Sequence, residues 1–313
     1  MYNYNKYYSD VELIRLILSK KDNLDYLPKH LEIINDIEIV KDYINKIDDL
    51  TDREQQELMD MDTNLLKAIG IKYIDLKGLH PIQVNEIIQG IMKIFYKYPK
   101  IVESVVCIYT TEEESIRNTY AKASNDYITE QYKIYKSSVS GEELETKIDE
   151  YVNNSIRDKI DYVANNKNFT ASCSYFGNLK EDKIPIQNNI IYRIYADTID
   201  SYETNYNSVK TKFHPDGVYG EIGNTVHELG HAVDNMLAIA EIEEIMKLYE
   251  DNSENMEELL SEYAKKNISE FIAEAWSEYI LSNNPRELSV KVGDIINKEY
   301  KDKFENNNRY KSF

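Results

Sequence analysis

Cysteine is almost missing from this chain. Cys107 and Cys173 are the only two in 313 residues, a count that excludes a disulfide framework, fits a reducing compartment and leaves room for one bridge at most. Long apolar runs are missing as well: nothing approaches the roughly 18 apolar residues of a membrane-crossing helix, so no membrane span is expected. The opening residues, Met1-Tyr2-Asn3-Tyr4-Asn5-Lys6-Tyr7-Tyr8, lack the charged-then-apolar order of a secretion signal. Positive charge is in deficit. Lys and Arg number 37 against 56 Asp and Glu, for a net charge of −19, which repels phosphate backbones and argues against nucleic-acid binding. If the partner is a polypeptide, the same field favours a basic one by steering. Glycine and proline are few, 10 and 6, and neither an internal repeat nor a Gly/Ser-rich linker is present. At this length the chain can bury a substantial core, as one large or two modest domains.

Histidine is scarce too, with five in the chain, yet His214, His227 and His231 crowd together. In His227-Glu228-Leu229-Gly230-His231 the two histidines stand at i and i+4. On a helix that spacing places both imidazoles on one face, within reach of a single metal ion. Glu228 follows the first histidine, where it reaches a water on the metal rather than the metal itself. Zinc lowers the pKa of such a water to about 7, and a neighbouring carboxylate takes its proton as it attacks a carbonyl. The flanks read as helix: Asn224 or Thr225 can cap the start, and Val226, Leu229, Val233, Met236 and Leu237 recur at helical spacing. Gly230 is a poor choice for a helix interior, which points to close approach of another backbone segment or of the metal. His214 lies in a loop beside Pro215 and is joined to the motif only by proximity, so it is not counted among the site residues.

A catalytic zinc needs a third protein ligand and an open position. The extended form H-E-x-x-H-x-x-G-x-x-H is excluded, because Ala232 to Leu237 holds neither the glycine nor the histidine. An N-E-x-x-S-D string is also absent around Glu250 and Glu254. What remains is a glutamate on a later helix, best matched by Glu270 in Ser269-Glu270-Phe271-Ile272-Ala273-Glu274-Ala275-Trp276. Glu270 and Glu274 share a face at i,i+4, flanked by large apolar groups. Two carboxylates so placed are costly to bury unless they meet a metal or hydrogen-bond donors; the bland alternative is the solvated side of an amphipathic helix.

These strings resemble known zinc peptidases. His227-Glu-Leu-Gly-His231-Ala-Val-Asp234 is similar to the zinc helix of the anthrax lethal factor protease domain, and Glu270-Phe-Ile-Ala-Glu274-Ala to the helix that carries the third ligand there. The step from His231 to Glu270 is closer to that of the clostridial Pro-Pro endopeptidases of the same clan. Phe213-His-Pro-Asp-Gly217 and Ser261-Glu-Tyr-Ala-Lys-Lys-Asn-Ile-Ser-Glu-Phe271 resemble metallopeptidases encoded with phage minor head proteins. The likeness spans roughly residues 70–290 and is concentrated in these short strings. It implies one Zn2+ per chain held by His227, His231 and Glu270, with Glu228 as general base. By the same resemblance Tyr263 would donate its phenol to the developing oxyanion. Asp234 and Glu274 would accept the distal N–H of a ligand histidine and so fix its ring. The relatives named first are exported, whereas this N-terminus reads as that of a cytoplasmic or virion-associated protein, or of one exported by another route.

The expected fold is α+β and mainly helical: a zincin-like catalytic domain with a small mixed sheet over the H-E-x-x-H helix and a helical lower subdomain. Residues 1–70 read as a helical accessory segment, with Val11, Leu13, Ile14, Leu16 and Ile17 as one apolar set and Ile37, Val40, Tyr43, Ile44 and Ile47 as another. Residues 71–313 form the catalytic domain. Within it 82–98 is an amphipathic helix, Ile101 to Tyr109 a buried strand, and 112–165 a charged helical extension. Phe169–Phe176 and Asn189–Ala196 read as two more strands; by analogy with zincins the second is the edge to which an extended substrate adds. The expected activity is that of a metalloendopeptidase acting on a polypeptide. The alternative is a catalytically silent phage or toxin component that keeps the fold.

Overall fold

Helix signals near the described N-terminus are local and strong. In the computed structural model, which describes residues 35–135, 141–176 and 186–306, Asp36 caps helix α1 (Ile37–Asp48) by accepting from the Glu38 N–H at 3.0 Å. Thr51 opens α2 (Asp52–Ala68) with a reciprocal box, its own N–H donating to Glu54 Oε2 at 2.9 Å. The apolar set Val11 to Ile17 lies outside the described residues. The second set behaves as its spacing requires: Val40, Ile44 and Ile47 are buried, packed with Ile82, Tyr202 and Tyr206. Leu65, Leu66 and Ile69, at the end of α2, join the main core.

After the short strand β1 (Tyr73–Ile74), helix α3 (Pro81–Lys97) starts with Pro81 at its first position and His80 as its cap. Its apolar residues are buried as expected, but so are Gln83, Asn85, Glu86 and Gln89. This helix is therefore central rather than amphipathic, with its polar side turned to other helices. Pro99 starts a further helical turn, α4 (Pro99–Glu103), because proline presets the dihedral a helix needs at its start. The strand expected from Ile101 accordingly begins only at Val105, as β2 (Val105–Thr110).

The charged stretch 112–165 forms, after a short π-helical turn at Ile116–Tyr120, two helices, α5 (Ala121–Tyr135) and α6 (Gly141–Asn165). Strands β3 (Ala171–Phe176) and β4 (Gln187–Tyr192) complete a four-stranded mixed sheet of order β1-β2-β4-β3. β2 pairs in parallel with β1 and β4, and β3 is antiparallel to β4. The edge assignment made from sequence is overturned here. The Asn189–Ala196 run supplies the interior strand β4, buried from Asn188 through Tyr192, while half-exposed β3 and the short β1 are the edges. A strand covered on both faces reads as a continuous apolar run, and Ile190-Ile191-Tyr192 was such a run.

The sheet separates two cores. Ile108, Ile190 and Tyr192 face the main one. Cys107, Tyr109, Ile191 and Phe176 face a second, closed by Tyr120, Tyr127 and Ile156 of the helical pair and the turn before it. Tyr109, Tyr120, Phe176 and Tyr127 stack there in sequence with centroids 5.1, 5.3 and 5.6 Å apart. Helix α7 (Thr198–Lys210) packs Tyr202 and Tyr206 against α1, while the main core takes in α8 (Gly220–Leu237), α9 (Glu243–Asn252), α10 (Ile268–Leu281) and α11 (Glu287–Tyr300). The fold is thus mainly helical, with 72% helix among the described residues, and α+β as expected. Among the described residues no helix is long and apolar enough to cross a membrane.

Candidate metal centre

Helix α8 carries the two motif histidines, and its start is set by other helices. Neither Asn224 nor Thr225 caps it, because the helix begins earlier, at Gly220. The Gly220 N–H donates to Asn205 Oδ1 of α7 at 2.6 Å, and the Glu221 N–H to Glu86 Oε2 of α3 at 2.7 Å. Thr225 instead meets the Tyr192 hydroxyl at 3.0 Å, which ties the helix to β4. Burial pushes the Glu86 carboxyl up to about 8 and raises that of Glu221.

Gly230 explains how a second helix comes close enough. A Cβ there would lie 2.8 Å from Ala273 Cα and 3.1 Å from Ala273 Cβ. Of the two reasons for this glycine offered by the sequence, close approach of another backbone is the one realised. α10 packs against α8 at this point and brings Glu270 and Glu274 onto the histidines. Asn267 caps α10 by accepting from the Glu270 N–H at 3.0 Å, fixing the backbone at Glu270 itself.

The chemistry-bearing atoms then converge. Glu270 Oε2 lies 3.1 Å from His227 Nε2 and 3.2 Å from His231 Nε2. Ligand atoms of all three residues lie within 4.8 Å of one another. Ligands about 2.0–2.2 Å from a tetrahedral ion stand roughly 3.3–3.5 Å apart; the two Glu270–histidine separations lie within a few tenths of an ångström of that, so this group could hold one metal ion. Glu250 and Glu254, the other carboxylates weighed, belong to no such group among the described residues.

Charge is balanced around it. Burial disfavours an ionised Glu270, yet His227 and His231 outweigh it and hold the carboxyl far below its usual range. Burial also opposes a charged His227, but Glu270 and Glu274 raise its pKa well above the ordinary imidazole value. Glu274 is fully buried and its carboxyl is likewise depressed, against the cost of burial, by His214 and His227.

Glu274 meets the ring it was expected to fix, with Oε1 at 2.8 Å from His227 Nδ1. The ring N–H is not aligned with that oxygen, so the two groups touch without a formed hydrogen bond. The same carboxylate accepts from Ser261 Oγ at 2.7 Å and lies 3.0 Å from His214 Nδ1. His214, set aside on sequence grounds, is therefore part of the constellation. Asp234 acts one residue removed from its expected place. Its Oδ2 accepts from Ser269 Oγ at 3.1 Å, and that hydroxyl, not the carboxylate, stands 3.1 Å from His231 Nδ1. A hydrogen on Nδ1 leaves Nε2 free as the ligand atom.

Glu228 points to the sheet, where Oε2 accepts from the Cys173 N–H of edge strand β3 at 2.5 Å. Tyr263 sits on a 3-10 turn (Tyr263–Lys265). Its N–H donates to Phe213 O at 3.0 Å, and its ring centroid lies 5.2 Å from that of His214 and 6.0 Å from that of His227. Burial raises its phenol. Lys266, which no motif singled out, places Nζ 3.0 Å from the Tyr263 hydroxyl and 3.1 Å from Glu270 Oε1. All seven site residues read from the sequence are thus gathered around one place, joined by His214, Ser261, Ser269 and Lys266. No family model, no curated protein and no solved structure matches this chain.

Proposed function

We propose that this protein is a zinc-dependent metalloendopeptidase of the zincin type. The observation that carries the reading is the convergence of His227 Nε2, His231 Nε2 and Glu270 Oε2 beside Glu228 and Tyr263. Two imidazoles and one carboxylate form a donor set suited to a catalytic zinc, which keeps one position open. A bound zinc ion supplies Lewis acidity, polarising a carbonyl and bringing the pKa of water at that position to about 7.

The chain's own groups supply the rest. Glu228 accepts the proton as water adds to the peptide carbonyl and returns it to the leaving amine. Tyr263 donates its phenol hydrogen to the carbonyl oxygen as charge develops there, a contribution typically worth about 3 kcal/mol in such sites. Glu274 and the Asp234–Ser269 pair hold the two imidazoles in orientation.

A polypeptide substrate is supported by β3. It is the edge strand on the Glu228 side, and Glu228 already takes one of its main-chain N–H groups, that of Cys173. An extended polypeptide adding to this edge passes the base, and the net charge of −19 favours basic segments. The deciding experiment pairs metal content with cleavage of a diverse peptide library by the wild type and Glu228→Gln. One zinc per chain with cleavage by the wild type alone is expected. Equal cleavage by both would remove Glu228 from its role, and zinc without cleavage by either would turn the reading toward a silent structural protein.

A further inference from the structure

Lys266 occupies a junction that the resemblance to zinc peptidases does not account for. It follows the 3-10 turn that carries Tyr263 and precedes α10, which carries Glu270. Residues at i and i+3 of a 3-10 turn eclipse, so the lysine stem lies along the tyrosine, with Nζ 4.7 Å from its ring centroid. One ammonium then reaches two oxygens of the site, the Tyr263 hydroxyl at 3.0 Å and Glu270 Oε1 at 3.1 Å. Glu270 Oε2 is the oxygen that faces both histidines. The two oxygens of this carboxylate thus have separate partners.

We infer that Lys266 is a positioning residue that keeps Glu270 a one-oxygen ligand and holds the Tyr263 hydroxyl beside it. The inference rests on the metallopeptidase reading and deepens it. A carboxylate free to turn offers a metal both oxygens, and the second raises a water-bearing ion from four-coordinate to five-coordinate, crowding the position that water and substrate need. With Oε1 held by the ammonium, that position stays open. The same ammonium donates to the phenol oxygen, which leaves the phenol hydrogen free for a substrate carbonyl.

The test uses the full chain with cobalt(II) as the metal probe, in the wild type, Lys266→Met and Lys266→Arg. The lysine side chain is 55% exposed, so its replacement leaves the core intact. Four-coordinate cobalt(II) absorbs visible light several-fold more strongly than five-coordinate. The expected result is a several-fold weaker band in Lys266→Met, with kcat for peptide cleavage about tenfold lower and KM little changed. Lys266→Arg should restore most of both. An unchanged cobalt band in Lys266→Met overturns the inference while leaving the metal centre standing. A wild-type chain that takes up no cobalt or zinc overturns the metallopeptidase reading and the inference with it.

Discussion

Glu86 and Glu274 are both buried against α8, one at its N-terminal end and the other beside His227, yet they titrate in opposite directions. Burial pushes Glu86 up to about 8, whereas Glu274, equally buried, is held below the usual carboxylate range because two imidazoles face it. Around Glu86 the neighbours are neutral or acidic: main-chain N–H groups, and Glu221 with its amide partners Gln83 and Asn224. Burial alone therefore does not decide whether a carboxyl carries charge; the partners do. The helix is held at one end by a carboxyl that favours its proton and in the middle by carboxylates matched to cations. Only the second arrangement suits a metal.

The comparison breaks most sharply at Glu270. Replacing it by Ala removes the carboxylate that faces both histidines and should weaken metal retention by more than about 100-fold in chelator competition. Unchanged retention would mean that another carboxylate supplies the third ligand. Glu274→Gln keeps the shape and removes the charge; a loss of about 10-fold to 100-fold in metal affinity is expected. If affinity instead held steady, the His227 contact would be one of packing alone.

At the other end, Glu86→Gln should leave metal binding unchanged and alter stability with pH. The folded-state pKa of Glu86 is raised, so the unfolded chain releases this proton first, near its ordinary value, and stability falls as pH rises from about 4.5 to about 8. Glutamine keeps an acceptor for the Glu221 N–H and has no proton to lose. Urea unfolding at pH 5 and pH 8 should show the wild type losing on the order of 2–4 kcal/mol relative to the variant. Equal pH slopes would mean that Glu86 is hydrated in the fold. Gly230→Ala probes the contact between α8 and α10. The added methyl meets Ala273 backbone and should cost roughly 1–3 kcal/mol, with weaker metal retention as α10 moves off. A variant as stable as the wild type would show that the two helices have slack at this crossing.

Much of the site was legible because helical periodicity is local. His227 and His231 share a face by their spacing alone, and Glu270 and Glu274 form a second such pair. Exclusion of the other third-ligand patterns pointed to Glu270, and resemblance, rather than spacing, drew Tyr263 into the same set. His214, Ser269 and Lys266 went unread as site members because each acts through a contact between segments, and nothing in the chain order announces such contacts. Asp234 was read one step too close for the same reason: the Ser269 hydroxyl that intervenes comes from α10. The start of α8 is not legible locally because the acceptors of its first N–H groups, Asn205 and Glu86, stand on other helices.

The sequence by itself determined the helix-rich α+β class, the two-histidine face, the glutamate beside it and the paired carboxylates of a later helix, since each depends on residues a few positions apart. Packing across the fold decided which strand lies at the edge beside Glu228, which oxygen of Glu270 meets the histidines and which of the buried carboxyls keep their charge. Those outcomes depend on how closely separate helices and strands approach, as at Gly230 and Ala273, and that distance is set by packing across the whole core.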